Sequence, residues 1–185
     1  MEDSEIIELF FVRSEDAITA LSEKYGAICH KVACNILKNA TDAEECVNDT
    51  YLGVWNAIPP ARPNPLISFV LRIVRNLSIK RYHKNTAQKR NSFYDVALDE
   101  LENCLGSNET PEDKITADEL SSIINEFLSG LERENRIMFM RRYWFSDSVE
   151  DIAKLFGMKP HAVTVRLSRI REQLRRHLEK KGVTV

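Results

Sequence analysis

The fold is decided by a stretch near the end of the chain, residues 149–178, VEDIAKLFGMKPHAVTVRLSRIREQLRRHL. In its first helix, Ile152, Ala153 and Phe156 would face inward, and Gly157 supplies the left-handed residue that ends such a helix. A longer helix begins at Pro160 and repeats apolar residues every three or four positions: Val163, Leu167, Ile170, Leu174 and Leu178. Two helices joined in this way form a helix-turn-helix, whose second helix enters the major groove of DNA. The alternative is an ordinary helical hairpin with an arginine-rich outer face.

The second of these helices carries two groups of candidate DNA contacts. Residues near its N-terminus would face base edges: His161, Thr164, Val165, Ser168 and Arg169. The cations in and around this helix are better placed for phosphates: Lys159, Arg166, Arg171 and Arg175.

The rest of the chain also has helical periodicity, with no convincing period-two strands. Helices are predicted at 4–12, 15–37, 42–58, 66–84, 112–129, 133–144, 149–156 and 160–180. Thr41-Asp-Ala-Glu44 matches a capping box, and Thr110-Pro111 places a cap and an N1 proline at another helix start. Residues 95–111 are rich in acids, Ser and Asn, which favours a linker. The predicted fold is all-α: helical domains at 1–94 and 112–185, joined by the acidic linker 95–111, with a C-terminal helix-turn-helix.

Charge is strongly segregated behind a formal net charge of −2. Residues 1–49 hold 11 acids against 4 bases, and residues 51–94 hold none against 8. Residues 95–119 then hold 9 acids against 1 base, and residues 131–181 hold 7 against 13. Two separate basic blocks in a near-neutral chain indicate two contacts with a polyanion.

The predicted helix at 42–58 carries an acidic stripe, because Asp42, Glu45 and Asp49 are spaced three and four residues apart. The helix dipole explains an acid in the first turn, but Asp49 lies beyond that turn and gains little from it. The stripe is therefore either a solvated face or a docking surface for a basic partner.

The acid-free block holds a broadly apolar helix with one polar, basic stripe at Arg72, Asn76, Lys80 and Lys84. Tyr82 stands next to His83 and Lys84. Cations beside aromatic rings suit single-stranded nucleic acid, because the cations hold phosphates and the rings stack on bases. A solvated basic face is the alternative. The preceding loop, IPPARPNP, is stiffened by four prolines and either shapes a pocket or simply connects two helices.

Other function classes find little support in the sequence. Cys29, His30 and Cys34 could hint at a metal, but zinc spacings are absent, and we expect the two cysteines to be small buried residues of a helix. We expect no cofactor and no enzymatic activity, since phosphate-binding glycine loops and nucleophile signatures are missing. The acidic N-terminus MEDSEIIELFF and the lack of a long apolar run predict a cytoplasmic protein without membrane insertion.

Three collinear segments resemble the extracytoplasmic-function sigma factors, the minimal initiation factors of bacterial RNA polymerase in the sigma-70 superfamily. DAEECVNDTYLGVWNAI is similar to the family pattern DAEDLVQETFLRAWRAL. SFVLRIVRNLSIKRY is similar to TWLYRIARNLAIDYLRR. The region from LERENRIMFM to the last arginines resembles the second domain of the family almost continuously.

The resemblance implies roles for the stripes described above. The residues that would dock on core polymerase are Asp42, Glu45, Asn48, Asp49 and Trp55. The loop from Pro59 to Leu66 would help to read and melt the minus-ten element, together with Phe69, Arg72, Arg75, Asn76 and Lys80. The minus-thirty-five element would be read by Thr164, Val165, Arg166, Ser168 and Arg169.

The implied partners are core RNA polymerase, promoter DNA as duplex and as melted single strand, and an anti-sigma protein. The resemblance also implies that the acidic linker threads through polymerase channels. Phe69 stands where the family commonly has Trp, and Thr164 and Val165 stand where a basic residue and Ser are common. These departures concern promoter specificity. The alternative function is a free-standing helix-turn-helix regulator, which would need neither the acidic stripe nor the acid-free aromatic block.

Overall fold

The computed structural model describes residues 1–85, 93–105 and 117–183, and in these ranges its regular structure is helical. The chain divides into two compact units, Met1–Ser92 and Phe93–Val185. The all-α fold class is confirmed. Within the described ranges, no helix is both long enough and apolar enough to cross a bilayer.

The first unit contains α1 (Asp3–Phe11), α2 (Asp16–Leu37), α3 (Ala40–Ala57) and α4 (Leu66–Asn85). Helices α2, α3 and α4 pack against one another, and α1 packs on α2. The fully buried side chains of this unit include Phe10, Leu21, Ile36, Val54 and Val74. Burying each side chain of this kind contributes roughly 1.5–3 kcal/mol, so the shared core fixes the three long helices.

The capping box predicted at Thr41 is corrected by the structure. Helix α3 begins at Ala40, and the side chain of Asn39 accepts a hydrogen bond from the backbone N–H of Asp42 at 3.1 Å. Asn and Thr both serve as N-caps, and the motif Asn39-x-x-Asp42 brings the cap two residues earlier. Thr110 and Pro111, the other predicted cap, lie outside the described residues.

The second unit contains α5 (Phe93–Leu105), α6 (Ala117–Gly130), α7 (Arg133–Phe139), a π-helical turn (Met140–Trp144), α8 (Val149–Phe156) and α9 (Pro160–Lys180). Its core is lined by Met138, Ile152, Val163, Leu167 and Ile170 among others. The five residues of the predicted α9 stripe, Val163, Leu167, Ile170, Leu174 and Leu178, are all buried, as the spacing indicated.

Helix α5 differs from the linker predicted at 95–111. Its side chains at Tyr94, Ala97 and Leu101 share one helical face, and Ala97 and Leu101 pack into the core of the second unit. The acid-rich composition of this segment obscured that spacing, so the linker prediction was wrong for residues 95–105. The remainder, 106–111, lies outside the described part of the chain.

Candidate functional site

The turn between α8 and α9 has the geometry that the sequence predicted. Gly157 has φ 63°, and the N–H of Met158 donates to the carbonyl of Ala153 at 2.9 Å, which closes the end of α8. Ser148 caps the start of α8 by accepting from the N–H of Asp151 at 3.0 Å. Pro160 occupies the first turn of α9. The two helices therefore form a helix-turn-helix.

The N-terminal half of α9 and the residue before it present the predicted DNA contacts of this region to solvent, with the exception of Arg166. The exposed members of the set are Lys159, His161, Thr164, Val165, Ser168 and Arg169. Val165 keeps 36 % of its surface exposed. Its apolar side chain is suited to contact with the methyl group of thymine. The structure thus places these side chains together on one accessible face.

Arg166 is oriented differently from its neighbours on α9. Its Nε donates to Asn135 Oδ1 at 2.5 Å, and its Nη2 pairs with Glu134 Oε2 at 3.0 Å. Both partners belong to α7, so in this structure Arg166 ties α9 to α7 and is half-buried. The sequence predicted a DNA contact here, and the spacing along α9 could not reveal a partner on another helix.

A second arginine of α9, Arg171, also turns toward the protein. Its Nη1 lies 2.5 Å from Tyr143 Oη and 3.2 Å from Glu100 Oε2. Glu100 of α5 also holds Arg142 through two hydrogen bonds, of 2.7 and 3.2 Å. Arg142 is only 2 % exposed, and Glu100 places a carboxylate against this buried charge. Burial raises the pKa of Tyr143, which stays protonated and can donate to Glu100.

The acidic stripe on α3 faces the groove between α3 and α4. Glu45, Asn48 and Asp49 are exposed, and Asp42 is half-buried at the start of the helix. Leu52, 58 % exposed, lies three residues after Asp49 and extends the same face. We did not predict Leu52 from the sequence, although its spacing from Glu45 and Asp49 would have placed it there.

Two acids of this stripe are paired within the unit. Arg81 of α4 places Nε 3.2 Å from Asp42 Oδ1, and its guanidinium also pairs with Glu45. Asn85 Nδ2 adds a hydrogen bond to Asp42 Oδ2 at 3.1 Å. Sequence analysis did not identify Arg81, because its partners come from a different helix.

Trp55 packs on α1, whereas Glu45 and Asp49 of the same helix are exposed. Its ring meets the edge of Phe10 at a centroid distance of 6.0 Å. Arg13 covers the same ring at 5.3 Å and donates to the carbonyl of Trp55 at 2.7 Å. Trp55 is therefore half-buried and helps to hold α1 against α3.

The polar face of α4 carries exposed Arg72, Asn76, Lys80 and Lys84. The guanidinium of Arg72 lies 5.5 Å from the centroid of the Phe69 ring, within cation–π distance. The other two predicted residues, Arg75 and Tyr82, are seven positions apart and half-buried on a neighbouring flank of the helix. The structure therefore groups five of the seven predicted residues on one face: Phe69, Arg72, Asn76, Lys80 and Lys84.

The proline-rich loop before α4 is braced by α1. Arg62 pairs with Glu8 at 2.5 Å and stacks on the ring of Phe11 at 3.9 Å. At the other end of the loop, Asp3 accepts hydrogen bonds from Lys24 Nζ at 2.8 Å and Tyr25 Oη at 2.5 Å. Burial works to raise the pKa of Asp3, but the two hydrogen bonds, the charge of Lys24 and the backbone N–H of Leu66 together outweigh burial and lower the pKa. The carboxylate thus remains charged beside the start of α4.

The cysteines of α2 behave as packing residues. Cys29 is fully buried, and burial raises the pKa of its thiol to about 11, which disfavours the thiolate that binds metals. Cys34 is half-buried, with its Sγ 3.5 Å from His30 Nδ1. Among the residues that the structure describes, no group of three or more His, Cys, Asp or Glu side chains is placed to hold a metal ion.

Comparison with known proteins assigns both units. Residues 21–88 match the family model for Sigma-70 region 2, and residues 121–174 match that for Sigma-70, region 4. The chain belongs to the sigma-70 superfamily, as a sigma factor of the extracytoplasmic-function type. Proteins of this family are transcription-initiation factors that bind DNA.

Two full-length similarities accompany the family match. The chain is 26 % identical to the ECF RNA polymerase sigma factor SigL of Mycobacterium tuberculosis, over 89 % of this chain and 90 % of that protein. It also aligns with CnrH, solved in complex with the cytosolic domain of CnrY, at 18 % identity and a TM-score of 0.44. That alignment covers 96 % of this sigma factor and 97 % of CnrH.

Proposed function

We propose that this sigma factor binds core RNA polymerase, recognises the minus-ten and minus-thirty-five elements of promoters, and opens the DNA to start transcription. Catalysis belongs to the polymerase, and the sigma factor supplies positioning and strand opening. The observation that carries the proposal is the pairing, within one unit, of an accessible acidic face on α3 with a cationic aromatic face on α4. A helix-turn-helix that only binds duplex DNA needs neither face.

The acidic face of α3 is the proposed docking surface for polymerase. Glu45, Asp49 and Leu52 are exposed together, which combines charge with an apolar anchor. Interfaces of this kind gain association rate from complementary charge and affinity from buried apolar contacts. Trp55 contributes indirectly, by holding α1 against α3.

The face of α4 with Phe69 and Arg72 is the proposed site for the melted minus-ten strand. Cations there would hold phosphates, and the Phe69 ring would stack on an unpaired base. The braced proline loop beside it would receive a flipped base, with the cost of unstacking offset by the new contacts. In the second unit, the exposed N-terminal half of α9 would read the minus-thirty-five element.

Two further proposals follow from the family assignment. An anti-sigma protein would hold this factor inactive until a signal releases it, and purification from the native cell without any such partner would count against this. Because its proposed binding partners are RNA polymerase and chromosomal DNA, we expect the factor to act in the cytoplasm.

The minus-ten assignment is tested by measuring promoter opening with the variants Arg72→Ala and Lys80→Ala. Each variant removes a cation from the α4 face, so we expect opening, followed by permanganate reactivity of unpaired thymines, to fall roughly ten-fold. Binding to core polymerase should stay within about two-fold of wild type, because the docking acids are untouched. Lys31→Ala removes a charge from α2 of the same unit and serves as the control. Equal loss of opening and polymerase binding would refute the assignment.

A further inference from the structure

Arg81 links the polymerase-docking face of α3 to the DNA-facing helix α4. It lies on α4 directly after Lys80, yet its guanidinium points to α3 and contacts both Asp42 and Glu45. Asn85, one turn further along α4, holds the second oxygen of Asp42. Two of the acids proposed to receive the polymerase, Asp42 and Glu45, therefore already have a cationic partner inside the free protein.

The ion pairs of Arg81 with Asp42 and Glu45 can be exchanged for contacts with a partner protein. The side chains of Arg81 and Asp42 keep 28 % and 23 % of their surface exposed, and that of Glu45 keeps 54 %. Ion pairs with this degree of solvent access are weak, because water and salt screen them. A basic surface of a partner protein can thus take the two carboxylates away from Arg81 at little cost.

Release of Arg81 would also change the DNA-facing side of the unit. A groove of about 470 Å³ runs between the two helices and is lined by Asp49, Lys80, Arg81 and Lys84 among others. Once its carboxylate partners are taken, Arg81 adds a third cation beside Lys80 and Lys84. Extra cations on this face strengthen binding to the phosphate backbone.

We propose that Arg81 sets the affinity of the docking surface by competing with polymerase for Asp42 and Glu45, and that its displacement on docking adds a cation to the DNA-facing helix. This inference rests on the proposed function, since it requires that polymerase uses those two acids. Polymerase binding and DNA binding would then favour each other, because both are linked to the same exchange.

Binding of fluorescently labelled Arg81→Gln to core RNA polymerase tests the competition. Removing the competitor should tighten binding about two- to five-fold at low salt, the range of a solvent-accessible ion pair, and the gain should shrink as salt rises. Arg81→Lys keeps the charge and should stay close to wild type. Circular dichroism of each variant checks that the helices remain intact.

A double-mutant cycle with Asp42→Asn/Glu45→Gln separates competition from a general charge effect. In that background Arg81→Gln should no longer tighten binding, because nothing is left to compete for. Weaker binding of Arg81→Gln, or equal tightening in both backgrounds, would overturn the inference while leaving the docking proposal standing. Failure of the wild-type chain to bind polymerase would instead remove the proposed function, and the inference with it.

Discussion

At the scale of single residues, backbone conformation at one position sets the helix-turn-helix. Gly157 has φ 63°, a region that side chains of L-residues rarely adopt, and no atom within 4 Å would meet a Cβ there. Glycine is therefore required at this position because of the backbone conformation, and not because a side chain would lack space. The sequence alone predicted this role, because a glycine between two amphipathic patterns is a local signal.

Gly157→Ala should destabilise the second unit by about 1 kcal/mol through the left-handed backbone alone. The matched control is Gly130→Ala at the end of α6, where φ is not positive and a Cβ would also meet nothing. Hydrogen exchange of the full chain, resolved by peptide, should show faster exchange in α8 and α9 for the first variant only. Equal exchange in the two variants would contradict the conformational account.

Arg166 marks the limit of inference from single residues. Spacing along α9 places it beside Val165 and Arg169, yet its guanidinium bonds to Asn135 and Glu134 of α7. The same limit applies to Arg81, whose acidic partners lie 36 or more positions earlier in the chain. Periodicity reveals which face of a helix a residue occupies, but a side chain's partner depends on which other helix packs there.

At the scale of elements, helix α5 is integral to the second unit. Glu100 faces Arg142, Tyr143 and Arg171, which ties α5 to the π-helical turn and to α9. The helices with strong apolar spacing were predicted to within a few residues, because that spacing reflects the core they bury. Helix α5 was missed because the two residues that it packs into the core, Ala97 and Leu101, are outnumbered by acids. In addition, the arginines that pair with Glu100 are distant in sequence.

Glu100→Gln should destabilise the second unit by about 2 kcal/mol, because Arg142 would keep a buried charge with a weakened partner. That figure is below the usual cost of breaking a buried pair, since Glu100 keeps 25 % of its side chain exposed. Glu179→Gln, which breaks an exposed i,i+4 pair with Arg175, should change stability by no more than about 0.5 kcal/mol.

Hydrogen exchange again provides the measurement for this pair of variants. Exchange in α5 and α9 should rise strongly for Glu100→Gln and barely for Glu179→Gln, while α2 to α4 stay protected in both. Retention of wild-type protection in α5 after Glu100→Gln would show that the carboxylate does not anchor the helix.

At the scale of the whole molecule, the segregated charge of the sequence becomes one acidic face and two basic faces. The acid-rich N-terminal block supplies the α3 face, the acid-free block supplies the α4 face, and the last basic block supplies α9. Each surface sits on a helix whose opposite side is buried, so packing fixes which charges reach solvent. This arrangement suits a protein that contacts one macromolecular partner and two stretches of promoter.

The most direct test of the central claim is gel filtration of the full chain with bacterial core RNA polymerase, with and without Asp49→Arg. The wild-type chain should co-migrate with the polymerase. Asp49→Arg should not, because it places a cation in the middle of the acidic docking face. Glu23→Arg makes the same charge reversal at an exposed residue of α2, and this variant should co-migrate like wild type. A wild-type chain that elutes apart from the polymerase, or an Asp49→Arg variant that binds as well as wild type, would contradict the account.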